Sequence, residues 1–158
     1  MLSINEPVPD FPAETADGSS FRLSDFKNKK NLVLFFYPKA FSSGCTKQAC
    51  LFRDVYDELS NLNCEIIGVS YDAANRNRDF KTAHRLPYHL ISDNDKSIAR
   101  LFGVTRFGGF LPFVKRVTFV IDTGGIIRNV IHHEFNINKH IEQARLTLQN
   151  IMGKNSTE

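Results

Sequence analysis

The sequence predicts an α/β fold: a mixed central sheet flanked by helices. Three observations carry that expectation. The run Leu32-Val33-Leu34-Phe35-Phe36 is unbroken and apolar, too short for a globular helix, and its branched and aromatic residues suit a strand buried on both faces. Similar apolar runs alternate along the chain with segments whose apolar residues recur at helical spacing. Near the C-terminal end, two strand-like runs flank Thr123-Gly124-Gly125, which reads as a hairpin and makes at least one strand pair antiparallel.

At 158 residues the chain has room for a real core and is expected to form one domain, residues 1–158. Its 42% hydrophobic and 23% charged residues are ordinary for a soluble globular protein. The formal charge of +3 is mild. No basic tract interleaved with aromatics argues for nucleic acid, and no apolar run approaches the length of a membrane span. The first residues lack a basic region followed by an apolar core, so no export signal is read there. Three cysteines without such a signal point to a reducing compartment, where paired thiols are more often catalytic than structural. The expected location is the cytoplasm, or an organelle if a transit peptide has been removed.

In chain order, residues 1–30 read as an irregular entrance with short strands. Pro7, Pro9 and Pro12 forbid a continuous helix, Asp17-Gly18 marks a turn, and Leu23 to Phe26 form one helical turn. After the Leu32–Phe36 strand, Pro38 stops the extended chain and Ser42-Ser43-Gly44 read as a polar turn. A helix then carries Ala49, Phe52, Val55, Tyr56, Leu59 and Leu62 at spacings of three and four. Cys64 to Ser70 is a second buried strand. Residues 74–85 form a polar helix with Arg76, Arg78, Lys81 and Arg85, a solvated face whose sharper alternative is a docking surface for an acidic partner. Tyr88 to Ser92 is a short strand, and Asp95 to Phe102 a short helix turning Ile98, Leu101 and Phe102 inward.

Gly103 to Lys115 is the least regular stretch. Its Gly108-Gly109, Pro112, Phe107, Phe110 and Phe113 suit either an apolar binding lip or a plug folded over the core. Arg116 to Asp122 and Ile126 to His132 are the two hairpin strands. Ile137, Ile141, Ala144, Leu148 and Ile151 mark a closing amphipathic helix with Asn136 or Asn138 as its N-cap, and residues 154–158 are expected to fray.

The chemistry concentrates between Asn31 and Cys50. Cys45 falls at the first turn of a helix that leaves the C-terminal end of a central strand, the place where open α/β sheets build their sites. Unpaired N–H groups and the positive end of the helix dipole favour a thiolate there. The bland alternative is a buried, inert thiol.

The residues Tyr37-Pro38-Lys39-Ala40-Phe41-Ser42-Ser43-Gly44-Cys45-Thr46-Lys47-Gln48-Ala49-Cys50 resemble the active-site loop of peroxiredoxins. More narrowly, they are similar to the peroxiredoxin Q group, also called bacterioferritin comigratory proteins. The family pattern is Pro-x-x-x-Thr/Ser-x-x-Cys, with a second cysteine five residues on in many members. Pro38, Ser42, Cys45 and Cys50 match it in place. A Pro common two residues before the cysteine is Ser43 here, a departure that loosens the loop but removes no functional group. The likeness runs over nearly the whole chain.

That resemblance implies a thioredoxin-like fold with an N-terminal peroxiredoxin-type extension. It implies a thiol-dependent peroxidase acting on hydrogen peroxide and organic hydroperoxides, with no metal, haem or flavin. Cys45 would be the peroxidatic thiol and Cys50 the resolving one, their intramolecular disulfide recycled by thioredoxin or a similar dithiol. Arg116, leading a strand similar to one whose first Arg reaches the reactive cysteine, would stabilise charge on the peroxide oxygens. Ser42 would donate to the substrate and Pro38 close one side of its pocket. Gly44, where the backbone can approach closely, and Tyr37 would complete substrate binding. With the resolving thiol internal, a monomer suffices. The alternative is a thioredoxin-like dithiol–disulfide oxidoreductase, against which stands the Cys-x-x-x-x-Cys spacing.

Other constellations are weaker. His132, His133, Glu134 and His140 invite a metal, but neighbouring His132 and His133 on a strand point to opposite faces, and Ile137 stands where a zincin motif needs His. Ser42 lacks the nucleophile-elbow pattern. Cys64, opening a buried strand, reads as a small apolar core residue, with a backup resolving thiol as the alternative.

Overall fold

The computed structural model describes the backbone of residues 1–108 and 111–156, and their side chains except at 107, 108, 111, 112, 155 and 156. Strands β1 (Pro12–Glu14) and β2 (Ser20–Arg22) form a small antiparallel hairpin, followed by a 3-10 turn over Leu23–Phe26. Then come β3 (Asn31–Phe36), α1 (Ser43–Asp54), α2 (Tyr56–Ser60), β4 (Cys64–Ser70), α3 (Ala74–His84), β5 (His89–Ser92) and α4 (Ser97–Phe102). The remainder is β6 (Thr105–Gly108), β7 (Leu111–Val114), β8 (Val117–Ile121), β9 (Ile127–His132) and α5 (Asn138–Ser156).

The main sheet has the order β5-β4-β3-β8-β9, with β3 at its centre. β3 runs parallel to β4 and antiparallel to β8, so the expected mixed sheet is the one observed. The unbroken apolar run of β3 has its reason in the pleat. Val33, Phe35 and Tyr37 enter one core cluster with Phe52, Leu59, Ala144 and Leu148; Leu32, Leu34 and Phe36 enter the other with Phe11, Phe102 and Val114. Helices α1, α2, α3 and α5 cover the first face, and the N-terminal segment with α4 covers the second. Isolated bridges tie Pro7 to Ile126 and Thr15 to Ile91, so the irregular entrance reaches both edges of the sheet.

Gly68 in β4 is where ring packing demands a missing side chain. A Cβ there would lie 2.7 Å from Leu90 Cδ2 and 2.9 Å from Phe35 Cζ.

Four expectations about elements change. The single long helix is two, because the chain bends at β-branched Val55 (φ −104°, ψ 8°) and restarts at Tyr56, whose hydroxyl then donates to Glu65. Of the polar turn, only Ser42 precedes α1; Ser43 and Gly44 are its first residues. The stretch expected to be irregular pairs Thr105 with Val114 and Arg106 with Phe113 as a small hairpin. Phe113 is half-buried, Phe110 lies outside the described residues, and so does the side chain of Phe107. Finally, α5 stays helical to Ser156, beyond the expected fraying point, while 157 and 158 lie outside the described residues.

Candidate active site

β3 ends against α1, and the link between them builds the site. Tyr37, the first residue past β3, is fully buried; its N–H donates to Val69 O, and its hydroxyl donates to Asn77 Oδ1 at 2.6 Å. Burial raises its pKa. What the geometry gives Tyr37 is therefore a place beneath the site, its polar atom already used, in contrast to the substrate contact expected of it. Pro38 is half-buried, and Phe41 takes φ +67°, a left-handed conformation.

Ser42 stands at the N-cap position of α1 without capping it. Its hydroxyl donates to Lys39 O at 2.8 Å, while its own carbonyl accepts the first helical bond, from Thr46 N–H. The first-turn N–H groups of Gly44 and Cys45 precede that bond, so they face outward from the helix end as donors for an anion. Cys45, third residue of α1, is 1% exposed, and Cys50 on the same helix is half-buried; both are free thiols.

Arg116, just before β8, is 6% exposed. Its Nη1 donates to Gln48 Oε1 at 2.7 Å and its Nε to Glu134 O at 3.1 Å. Its backbone N–H donates to Glu134 Oε1 at 3.2 Å. The guanidinium lies across the first turn of α1: a Cβ on Gly44 would come within 3.0 Å of Nη2. The missing side chain at Gly44 thus makes room for the arginine. The fold thus lays Arg116 on the start of α1, beside the Ser42–Cys45 stretch, while Tyr37 is buried with its hydroxyl on Asn77.

Two supporting residues escaped the sequence reading. Gln48 is fully buried and holds Arg116, with its Nε2 lacking a protein partner. The signal available was a polar residue three after Cys45, on the inward stripe of an otherwise apolar helix face. Glu134 had drawn notice only as a metal ligand. It instead braces Arg116 and accepts from His132 Nε2 at 3.0 Å. His140 Nε2 donates to His133 O, which leaves Nδ1 to accept the Thr118 hydroxyl at 2.8 Å. Burial pushes the His140 pKa down to about 4. Cys64 is buried, its thiol pKa pushed up by burial, and it donates to Glu65 O, consistent with a core residue.

Comparison with known proteins bears on the whole arrangement. Residues 4–130 match the model of the AhpC/TSA family. A putative peroxiredoxin of Mycobacterium tuberculosis is 38% identical over 152 residues, covering 95% of this chain and 98% of that protein. A chloroplastic peroxiredoxin Q of Suaeda salsa is 38% identical over 144 residues, 90% of this chain and 66% of that protein. Among solved structures, the peroxidoxin BcpB of Mycobacterium tuberculosis superposes with a TM-score of 0.90 at 38% identity, covering 96% of this chain and 99% of that one. A peroxiredoxin Q of Xanthomonas campestris, 23% identical, shares the fold with a TM-score of 0.86 over 95% of this chain and 98% of that one. The mixed sheet, the N-terminal extension and these matches make one statement: the chain belongs to the AhpC/TSA family, as a thioredoxin-fold thiol peroxidase of the peroxiredoxin Q and bacterioferritin comigratory type.

Proposed function

We propose that Cys45 is the peroxidatic thiol of this enzyme, that Cys50 resolves it, and that its substrates are hydrogen peroxide and organic hydroperoxides. The observation that carries the proposal is the Arg116 guanidinium packed on Gly44, beside Cys45 in the first turn of α1. The Cys45 thiolate attacks one peroxide oxygen in line with the O–O bond. The S–O bond forms as O–O breaks, sulfur is oxidised to sulfenic acid, and the departing oxygen leaves with a proton as water or alcohol. Arg116 and the first-turn N–H groups stabilise negative charge on both oxygens during that step. The Ser42 hydroxyl, which donates to Lys39 O in the resting loop, would turn its proton to the substrate when it enters. Pro38 closes one side of the site.

Cys50 then attacks the Cys45 sulfenic acid, forming the disulfide and releasing water. A thioredoxin-type dithiol exchanges with that disulfide, is itself oxidised, and returns both thiols. Since both cysteines come from one chain, a monomer is sufficient for the cycle.

The test is peroxide consumption by the reduced protein coupled to thioredoxin turnover. Cys45→Ser should abolish activity. Cys50→Ser should reduce one equivalent of peroxide and accumulate sulfenic acid, and Cys64→Ser should remain active. Continued turnover by Cys45→Ser with thioredoxin as donor would end the assignment.

A further inference from the structure

The basic helix α3, which the sequence assigned to a solvated face, sends one arginine into the catalytic loop. Arg76 Nη2 donates to Ala40 O at 3.2 Å, while its Nε pairs with Asp72 Oδ1 at 3.4 Å. Asp72 Oδ2 in turn accepts the Ala40 N–H at 2.8 Å and the Ser70 hydroxyl at 2.8 Å. Both polar groups of Ala40 are thus clasped by one ion pair. The Asp72 side chain is 8% exposed and that of Arg76 45%, so the pair has a fixed base and an outer arm. The base is fixed because Ser70 also bonds Asn77, which holds Tyr37 and Ser92.

The clasp bears on a strained place. Phe41 adopts φ +67°, a left-handed conformation that strains a non-glycine residue and is kept only where the surroundings over-determine it. Its ring stands edge-on to Phe80 at 5.2 Å and lies under Arg76, whose guanidinium carbon is 5.1 Å from the ring centre. The N–H that Asp72 holds belongs to the same planar peptide unit as Lys39 O, and Lys39 O is the acceptor of the Ser42 hydroxyl. An ionised acceptor on one end of that unit fixes its plane, and with it the place of the carbonyl against which Ser42 rests.

We infer that Asp72 and Arg76 are a positioning pair for the peroxide step: through the Lys39–Ala40 peptide unit they orient the Ser42 hydroxyl beside Cys45. The inference rests on the reading of Cys45 and Ser42 proposed above. Arg76 touches no reacting atom, so its effect must pass through Ser42. A guanidinium is required in that place, because its fork can serve Asp72 and Ala40 O together, whereas an ammonium on a flexible stem has no such paired geometry.

The experiment follows oxidation of the reduced protein by hydrogen peroxide, quenched at short times, with sulfenic acid and disulfide resolved by mass. Arg76→Ala should slow formation of the Cys45 sulfenic acid about tenfold, short of the roughly hundredfold that a 1 Å misplacement of a reacting group can bring. The later Cys50 step and the urea midpoint should change little. Arg76→Lys should recover less than half of the lost rate, and Arg78→Ala, the same charge lost elsewhere on α3, should keep the full rate. In a Ser42→Ala background, Arg76→Ala should slow the reaction by less than about twofold, the signature of two groups acting as one. Equal slowing in both backgrounds, full recovery by Arg76→Lys, or an undiminished rate in Arg76→Ala each overturns the positioning pair. Failure of the unsubstituted protein to oxidise Cys45 would instead overturn the underlying assignment.

Discussion

Arg116 is a charge held almost out of water, and its neighbours explain why it stays ordered. Gln48 and the Glu134 carbonyl take its side-chain donors, and the Glu134 carboxylate takes its backbone N–H. A buried guanidinium without such partners would be costly, so Gln48 and Glu134 are part of the site even though neither is expected to touch substrate. Loss of one preorganised donor to a developing oxyanion typically costs about 2.7–4 kcal/mol, roughly a hundred- to a thousand-fold in rate. Arg116→Met and Ser42→Ala should fall by such factors in the second-order rate with peroxide. Ser42→Thr should stay near the unsubstituted rate, since the hydroxyl survives. Equal rates for Ser42→Ala and Ser42→Thr would show that the hydroxyl does no chemistry. At this scale the sequence was legible in placement: Cys45 was expected at the first turn of a helix after a polar turn, and it stands in the first turn of α1, with Ser42 just before it. It was silent on Gln48, whose partner Arg116 lies 68 positions away, and on Asp72 and Arg76, whose polar atoms meet the loop only through folding.

The proposed cycle gives helix α1 two duties that conflict, and its tethers show where it would yield. It holds Cys45 in the first turn, with Phe52 stacked on Phe35 at 4.8 Å and the Ala49 carbonyl accepting from Tyr88 Oη at 2.6 Å. It also carries Cys50. Residues five apart on an α-helix are separated by about 7.5 Å of rise and about 140° of rotation, so their Cα atoms lie about 8.7 Å apart. A disulfide needs Cα atoms within roughly 4.4–6.8 Å, and no rotamer choice bridges an intact helix. The proposed Cys45–Cys50 disulfide would therefore require α1 to unwind between the two thiols, releasing Gln48 from Arg116 and Ala49 from Tyr88. Amide exchange on reduced and peroxide-treated protein should show protection at residues 45–52 collapsing on oxidation, while residues 138–151 stay protected. A mapped Cys45–Cys50 disulfide with unchanged protection would contradict the helical placement of one of the two. Short apolar runs announced β3 and β4, and apolar residues at helical spacing announced α5, without help from the fold. The β6–β7 hairpin stayed hidden because Gly108-Gly109 and Pro112 read as breakers, although Thr105 pairs with Val114 and Arg106 with Phe113 on either side of them.

Across the molecule, the site and the closing helix meet at His140. It is fully buried near the start of α5, tied to Thr118 on β8 and to the His133 carbonyl, and Arg116 lies close enough to disfavour a second positive charge. Burial is the larger cause of its low pKa of about 4, with the ordinary histidine value at 6.5. Above pH 6.5 the ring is neutral in both folded and unfolded chains and has no effect on the pH dependence of stability. Between pH 6.5 and 4 the unfolded chain binds a proton that the folded chain refuses, so stability falls as pH falls, by about 1.4 kcal/mol per unit and about 3 kcal/mol in all. Below pH 4 both states carry the proton and this contribution levels off. The carboxyls of Asp10 and Asp17, held below their ordinary 3.8 by Arg22 and Lys81, lose their stabilising effect only as pH falls through that lower range. Urea midpoints between pH 7 and 4.5 should therefore drop steeply. In His140→Gln, whose amide keeps a donor and an acceptor but cannot titrate, the drop over this window should be much smaller. A parallel decline in both proteins would mean that the buried ring is not what makes this fold sensitive to mild acid, and that α5 is tied to β8 by groups that do not titrate there.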